Sequence, residues 1–194
     1  MSNLSSTSDQ ILHCARTLIV AGGYNGFSYA DIAKVVGIRN ASIHHHFPSK
    51  ADLVRTLVAR YRQEAEAGLV KLEHNVADPL GQLRAYLGYW EACILDNSAP
   101  FCVCALLAGE AQLLPEEVHH EVKAHFRTLS AWLTRAMQRG VAENVLVLSA
   151  SPEAEAEAFL ATVHGAMLSA RAYGSPEIFS TVKGTILQRL SGKA

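Results

Sequence analysis

The chain has 194 residues, 49% of them hydrophobic and 18% charged, with a net charge of −1 and four cysteines. This is ordinary globular composition, which excludes a disordered or fibrous protein, and no apolar run approaches the ~18 residues of a membrane span. The balanced charge argues against a polyanion-binding protein only until it is split along the chain: residues 1–62 hold seven Lys/Arg against three acids, a net of +4, and residues 63–194 hold ten against fifteen, a net of −5. Such asymmetry points to an N-terminal part that faces nucleic acid. Met1 to Asp9 is Ser/Thr-rich, without the basic and apolar segments of a signal peptide. Cys14, Cys93, Cys102 and Cys104 do not form a disulfide framework, so a reducing cytoplasm is the expected location.

Taken in chain order, Ile11, Ala15, Leu18 and Ile19 recur at helical spacing and stop at Gly22-Gly23, a pair suited to a helix C-cap. Ser28 with Asp31 reads as a capping box that opens a short helix through Val36, ended by Gly37. A second short helix, Asn40 to His46, is closed by Pro48. Ser49 with Asp52 then caps a long helix carrying Leu53, Leu57, Tyr61, Ala65 and Leu72. Further helices are expected from Asp78-Pro79, Leu114-Pro115, Ser151-Pro152 and Ser175-Pro176, where proline takes the first helical position and its missing N–H costs nothing. Another lies between Pro100 and Leu114. Val145 to Leu148 is the one strand-like run, too short to make a sheet. The pattern predicts an all-α protein of about nine helices.

Residues 28–46 have the layout of a helix-turn-helix, in which the first helix braces the second for a DNA groove. Ala33 is the small residue the crossing requires, and Ile32, Val36, Ile38 and Ile43 supply core contacts. The second helix presents Arg39, Asn40, Ser42, His44 and His45, donor-rich side chains that reach phosphates and base edges. Ser28 and Tyr29 at the start of the first helix, and Lys50 at the N-terminus of the next, complete the expected DNA-contacting set. His46 is expected to point inward near Phe47. Consecutive helical residues diverge by ~100°, so the three histidines do not converge on a metal.

The run GFSYADIAKVVGI over Gly26–Ile38, followed by SIHHHFPSKADL over Ser42–Leu53, resembles the DNA-binding domain of the TetR family across about residues 10–57. The other two thirds resemble the family in helix count and length. The resemblance implies a three-helix helix-turn-helix DNA-binding domain over residues 1–50 and a helical ligand-sensing and dimerisation domain over residues 51–194. It implies a homodimeric regulator, a repressor that releases a palindromic double-stranded operator on binding a small molecule or on thiol modification. Its last two helices, Pro152–Tyr173 and Pro176–Leu190, would form the four-helix dimer interface, with Phe159, Leu160, Val163, Met167, Leu168 and Ile186 as apolar surface. Ala158, Ala161, Gly165, Ala166 and Ala170 would permit close approach, although the same small residues suit packing within one chain. The family commonly has Tyr where this chain has His44 and His45. A His44 that gains charge on protonation is expected to strengthen DNA binding modestly below pH ~6.5, the ordinary imidazole range.

The expected effector lining is Tyr86, Tyr89, Trp90, Cys93, Phe101, Leu106, His125, Phe126, Leu129, Trp132 and His164. Aromatic bodies with a few polar tips suit a small, mostly apolar molecule, and at helical spacing the same residues also describe a plain core. The stretch FCVCALLAGEAQLLPEE resembles a branch of the family with a cysteine near the start of the corresponding helix and a glutamate eight residues later. Some members of that branch sense electrophiles or oxidants through that cysteine, which matches Cys102. A cysteine at a helix N-terminus can have a lowered pKa; the competing reading of Cys102 and Cys104 is a pair of buried small hydrophobes. A bridge between Cys102 and Cys104 would strain helical geometry, while Cys102 with Cys93, or with its mate in a dimer, is open. A metal sensor built from Cys102, Cys104, His119, His120 and His125 is a third option, with His120 and His125 poorly spaced on their helix. No cofactor is expected. Neither a G-x-S-x-G elbow, a P-loop, a dinucleotide fingerprint nor H-E-x-x-H is present, so a small helical enzyme is the weaker alternative.

Overall fold

The computed structural model describes residues 6–97 and 101–192. Among these residues the chain forms nine α-helices, one 3-10 turn and no strand: α1 (Thr7–Gly22), α2 (Tyr29–Val36), α3 (Asn40–His46), α4 (Lys50–Asn75), α5 (Pro79–Leu95), α6 (Val103–Gly109), α7 (Glu116–Ala142), α8 (Pro152–Tyr173) and α9 (Glu177–Leu190), with the 3-10 turn at Ala111–Leu113.

Local chemistry sets most of these boundaries. The Asp31 carboxylate accepts both the N–H and the hydroxyl of Ser28, each at 2.7 Å, which opens α2. Those bonds from Ser28 also hold the Asp31 carboxyl below its ordinary pKa. Gly37 ends the helix in the left-handed region (φ 76°) with its N–H on the Ala33 carbonyl at 2.9 Å, a conformation that strains any residue with a β-carbon. Ser49 accepts the Asp52 N–H at 3.0 Å at the head of α4. Asp78 and Ser151 cap α5 and α8, each followed by proline in the first turn. A box not singled out from the sequence opens α1, where Ser6 and Asp9 exchange bonds of 3.1 and 3.2 Å.

Three boundaries differ from expectation. The helix expected across residues 100–114 is shorter: α6 stops at Gly109, Glu110 caps it, and the chain passes into the 3-10 turn. Pro100, its expected start, lies outside the described residues. Pro176 stands at the N-cap of α9 rather than in its first turn. Val145–Leu148 is no strand; Leu146 is buried and the Val147 N–H donates to the Leu190 carbonyl at 2.8 Å.

The chain divides into two compact units: residues 1–64 with 102–125, and residues 65–101 with 126–194. The first comprises α1–α3, the N-terminal half of α4, α6 and the start of α7. Ile11, Ala15, Ile19, Ile32, Ile43, Leu53, Val54 and Val58 are fully buried in it, each large aliphatic one contributing ~1.5–3 kcal/mol. The second unit holds the rest of α4 and α7 with α5, α8 and α9. Its core is Leu83, Leu87, Trp132, Leu133, Phe159, Val163, Met167 and Phe179. Its buried Glu155 carboxylate is satisfied by the Ser149 N–H at 3.1 Å and by Arg189 Nη2 at 3.0 Å.

Candidate nucleic-acid interface and effector site

In the first unit α2 and α3 form the expected helix-turn-helix. Ile32 and Ile43 are fully buried, whereas Val36, Ile38 and Ala33 are half-buried at the turn. The Ala33 carbonyl receives the N–H of Gly37 at 2.9 Å and of Ile38 at 3.1 Å, which fixes the turn. The Tyr29 hydroxyl donates to the Phe47 carbonyl at 2.9 Å, joining the start of α2 to the end of α3. Burial pushes the Tyr29 phenol up to about 12, so it stays a donor through the whole neutral range.

Arg39, Asn40, Ser42, His44 and His45 are all exposed. Among the described residues the side chains of Arg39, Asn40 and Ser42 make no hydrogen bond, so their donors face outward. His44 Nδ1 lies 3.3 Å from the Pro48 carbonyl and its ring sits edge-on to Tyr29 at 4.8 Å. A carbonyl partner requires the proton on Nδ1, so Nε2 donates only when the ring is protonated. Ser28 is exposed but spends its hydroxyl proton on Asp31. His46, expected inward, is exposed, with its ring centroid 6.4 Å from that of Phe47.

Lys50 is turned into the unit. Its ammonium donates to the Phe27 carbonyl at 2.5 Å and lies 4.2 Å from the Phe27 ring centroid and 4.9 Å from that of Tyr24. Burial lowers its pKa, against the opposing pull of Glu110 and Asp31. The motif position is the expected one; the ammonium is occupied within the chain.

A cleft of about 830 Å³ along α1 and α4 of the same unit includes Asp9, His13, Arg16, Arg60, Tyr61 and Glu64 in its lining. Its bases are neutralised in place, with Arg60 on Asp9 at 2.6 Å and Arg16 within 3.9 Å of Glu64. Behind Tyr61 the unit holds a sulfur–imidazole cluster. Cys102 Sγ is 3.9 Å from His125 Nε2, and the Tyr61 and His125 ring centroids are 5.2 Å apart. Cys102 and Cys104 are fully buried. Burial first, then the hydrogen bond with Cys102, pushes the Cys104 thiol well above its ordinary value, the opposite of the lowering expected at a helix start. Tyr61 is raised in the same way, by burial and then by the neighbouring thiols.

The second unit brings together part of the expected effector lining. Tyr86 stacks obliquely on Trp132 at 5.5 Å and on Phe159 at 6.2 Å, and Phe126 meets His164 at 5.3 Å. Trp90 and Cys93 lie on the buried face of α5, and Phe101 and Leu129 are buried too. Tyr89 is 56% exposed and turned away from that face, since it is one residue off the Gln82–Tyr86–Trp90 repeat of four. His125 belongs to the first unit, with Cys102. Sequence reasoning missed Gln82, fully buried, whose Nε2 donates to the Val76 carbonyl at 2.6 Å. Gln82 Oε1, Trp90 Nε1, Trp132 Nε1 and His164 Nε2 are buried and have no hydrogen-bond partner among the described residues. Orphaned polar atoms are rare in a finished core.

The apolar set expected at a dimer interface is buried within the single chain: Phe159 0%, Leu160 2%, Val163 0%, Met167 1% and Ile186 5% exposed. Those side chains build the unit's own core. The outward face of α8 carries Ala158, Ala161, Gly165 and Leu168, the last 58% exposed, and α9 presents Gly184. Among the described residues no three His, Cys, Asp or Glu side chains are grouped to hold a metal, and no helix is long and apolar enough to cross a membrane.

Comparison with known proteins adds two matches and several structures. Residues 11–57 match the bacterial regulatory proteins of the tetR family, and residues 79–186 match the tetracyclin repressor-like C-terminal domain. A TetR-family transcriptional regulator from Agrobacterium tumefaciens is 63% identical, covering 96% of this chain and 98% of its own, with a TM-score of 0.94. A TetR transcriptional regulator from Legionella pneumophila is 28% identical over 97% of this chain and 100% of its own, with a TM-score of 0.86. The reduced form of E. coli NemR, 20% identical over 95% of this chain and 97% of its own, shares the fold at a TM-score of 0.83. No curated protein matches the chain.

Proposed function

The chain belongs to the TetR family of bacterial regulatory proteins and is a helix-turn-helix transcriptional regulator, and from that premise we propose that it is a homodimeric repressor released from its operator by a small molecule or by thiol modification. The observation that carries the reading is the row of exposed donors on α3, held at a fixed angle by the Tyr29–Phe47 bond. Arg39, Asn40, Ser42, His44 and His45 offer the donors that phosphates and base edges accept. Two copies joined through the outward faces of α8 and α9 carry two α3 helices to successive major grooves, ~34 Å apart, and read a palindrome.

The effector is a mostly apolar molecule with oxygen acceptors. It binds in the second unit, whose buried Trp90 Nε1 and Trp132 Nε1 have no hydrogen-bond partner among the described residues and can donate to it. It acts only through its different affinity for the operator-bound and released states, transmitted along α4, which runs unbroken from one unit into the other. In the thiol route His125 Nε2 takes the Cys102 proton and the sulfur adds to the alkene carbon of an unsaturated carbonyl. The proton then passes to the neighbouring carbon. The adduct cannot fit where the thiol is fully buried, so α6, which begins beside it, must shift.

Regulators of this family are generally non-enzymatic, and we assign this chain no catalytic role, no cofactor and a cytoplasmic location. A gel shift with the DNA flanking its own gene tests the reading: a retarded band that disappears on adding an effector supports it, and no band at low salt overturns it.

A further inference from the structure

We infer that Glu110 is a positioning residue for DNA binding: its carboxylate fastens the turn between α1 and α2 to the end of α6 and thereby sets the attitude of the helix-turn-helix. The inference rests on the reading above that α3 contacts DNA. The side chain of Glu110 reaches across 86 residues of sequence to accept the Tyr24 backbone N–H at 2.9 Å. A carboxylate accepting a half-buried amide is a charge-assisted bond, stronger than its neutral counterpart, and without it that N–H would have to find another acceptor.

The turn is shaped for this carboxylate. Gly23 lies in the left-handed half of the map (φ 77°), and a β-carbon built on it would stand 2.0 Å from Glu110 Oε1 and 2.8 Å from its Cδ. Gly23 therefore does more than cap α1 through its N–H bond of 2.8 Å to Ile19; it leaves the space that Glu110 fills. The next residue, Tyr24, is 8% exposed and lies under the Lys50 ammonium, which also holds the Phe27 carbonyl immediately before α2. Four elements thus meet at one joint: the end of α1, the approach to α2, the first residue of α4 and the cap of α6. Lys50 grips the joint from α4 and Glu110 from α6, and their opposite charges attract.

Glu110 stands at the C-cap of α6, outside helical geometry (φ −106°, ψ 16°), and its side chain turns to Tyr24. A shift of α6 along its axis moves the Glu110 carboxylate and so moves the support under the α1–α2 turn. Glu110 itself touches no DNA in this scheme. Its effect on affinity comes through the population of heads held ready to bind.

The test compares wild type, Glu110→Gln and Glu110→Ala as full-length dimers on a duplex selected from random DNA by the wild-type protein. Glutamine keeps an acceptor for the Tyr24 N–H; alanine does not. The expected result is operator affinity within about threefold of wild type for E110Q and at least tenfold weaker for E110A, with the salt slope unchanged because no phosphate contact is lost. Amide exchange at Tyr24, read by NMR, is expected to be slow in wild type and E110Q and fast in E110A. Equal operator affinity in wild type and E110A overturns the inference, as does an E110Q as weak as E110A with a protected Tyr24 amide. A wild type that selects no duplex overturns the DNA-binding reading instead, and the Tyr24 exchange then decides the Glu110 bond alone.

Discussion

The Tyr29 hydroxyl donates to the Phe47 carbonyl at 2.9 Å, so the first residue of α2 is tied to the residue that closes α3. The Glu110–Tyr24 bond and the Lys50–Phe27 bond brace the same head from α6 and α4. The angle between the two helices decides whether the donors of α3 enter a groove. Tyr29→Phe is expected to lose ~0.5–1.5 kcal/mol of stability and to weaken operator binding. Burial raises the Tyr29 phenol to about 12, above the ~10 of an unfolded chain. The folded state therefore keeps a proton that the unfolded state loses, and stability falls as pH rises from about 10 to 12. Thermal melts across that window should decline more steeply for wild type than for Y29F; parallel declines would contradict the assignment.

The side chains of Arg39 and Lys50 make opposite predictions although both were expected to reach phosphates. Arg39 is exposed and points away from the chain, whereas Lys50 is engaged with Phe27 and Tyr24. Arg39→Ala should weaken binding and reduce the log–log salt slope by about 1. Lys50→Ala should lower the melting temperature and the affinity together while leaving that slope unchanged. A reduced slope for K50A would mean that the ammonium swings out to a phosphate on binding.

Phe159 and Leu168 sit on one helix and separate core from interface. Phe159 is fully buried, so Phe159→Ala should cost ~3–5 kcal/mol, read as a lower denaturant midpoint. Leu168 is 58% exposed, so Leu168→Arg should leave the fold intact and shift the mass in solution from dimer to monomer, seen by light scattering. A stable dimer in L168R would move the interface elsewhere.

Much of this was legible in the sequence, and the reason is local chemistry. Ser28 with Asp31, Gly37, and the prolines at 79 and 152 announce their helix ends because cap geometry depends on three or four adjacent residues. The HFPSK stretch likewise placed α3 and α4. What was not legible depends on residues far apart. The family resemblance assigned Phe159, Val163 and Met167 on α8 to a dimer interface, whereas the chain's own core covers them, since the sequence does not show which helices of the same chain pack on that face. The periodicity of α5 did not separate Tyr86, inside, from Tyr89, outside, until the helix phase was known. The Glu110–Tyr24 bond spans 86 residues, which no window of the sequence contains.

Cys102 and His125 define the thiol prediction. Their 3.9 Å approach sets Cys102 apart from Cys104, whose thiol burial keeps protonated. N-ethylmaleimide should release operator DNA from wild type and from Cys104→Ser but leave Cys102→Ser bound. Release of C102S at the wild-type rate would remove the thiol route and leave the small-molecule route standing.

Whether the α3 donors bind double-stranded DNA is read by fluorescence anisotropy of a labelled duplex from beside the gene, titrated from 50 to 200 mM salt. The expected result is saturable binding whose log affinity falls linearly with log salt, as several phosphate contacts require, and which a scrambled duplex does not match. No binding at 50 mM salt, or equal affinity for both duplexes, would contradict it.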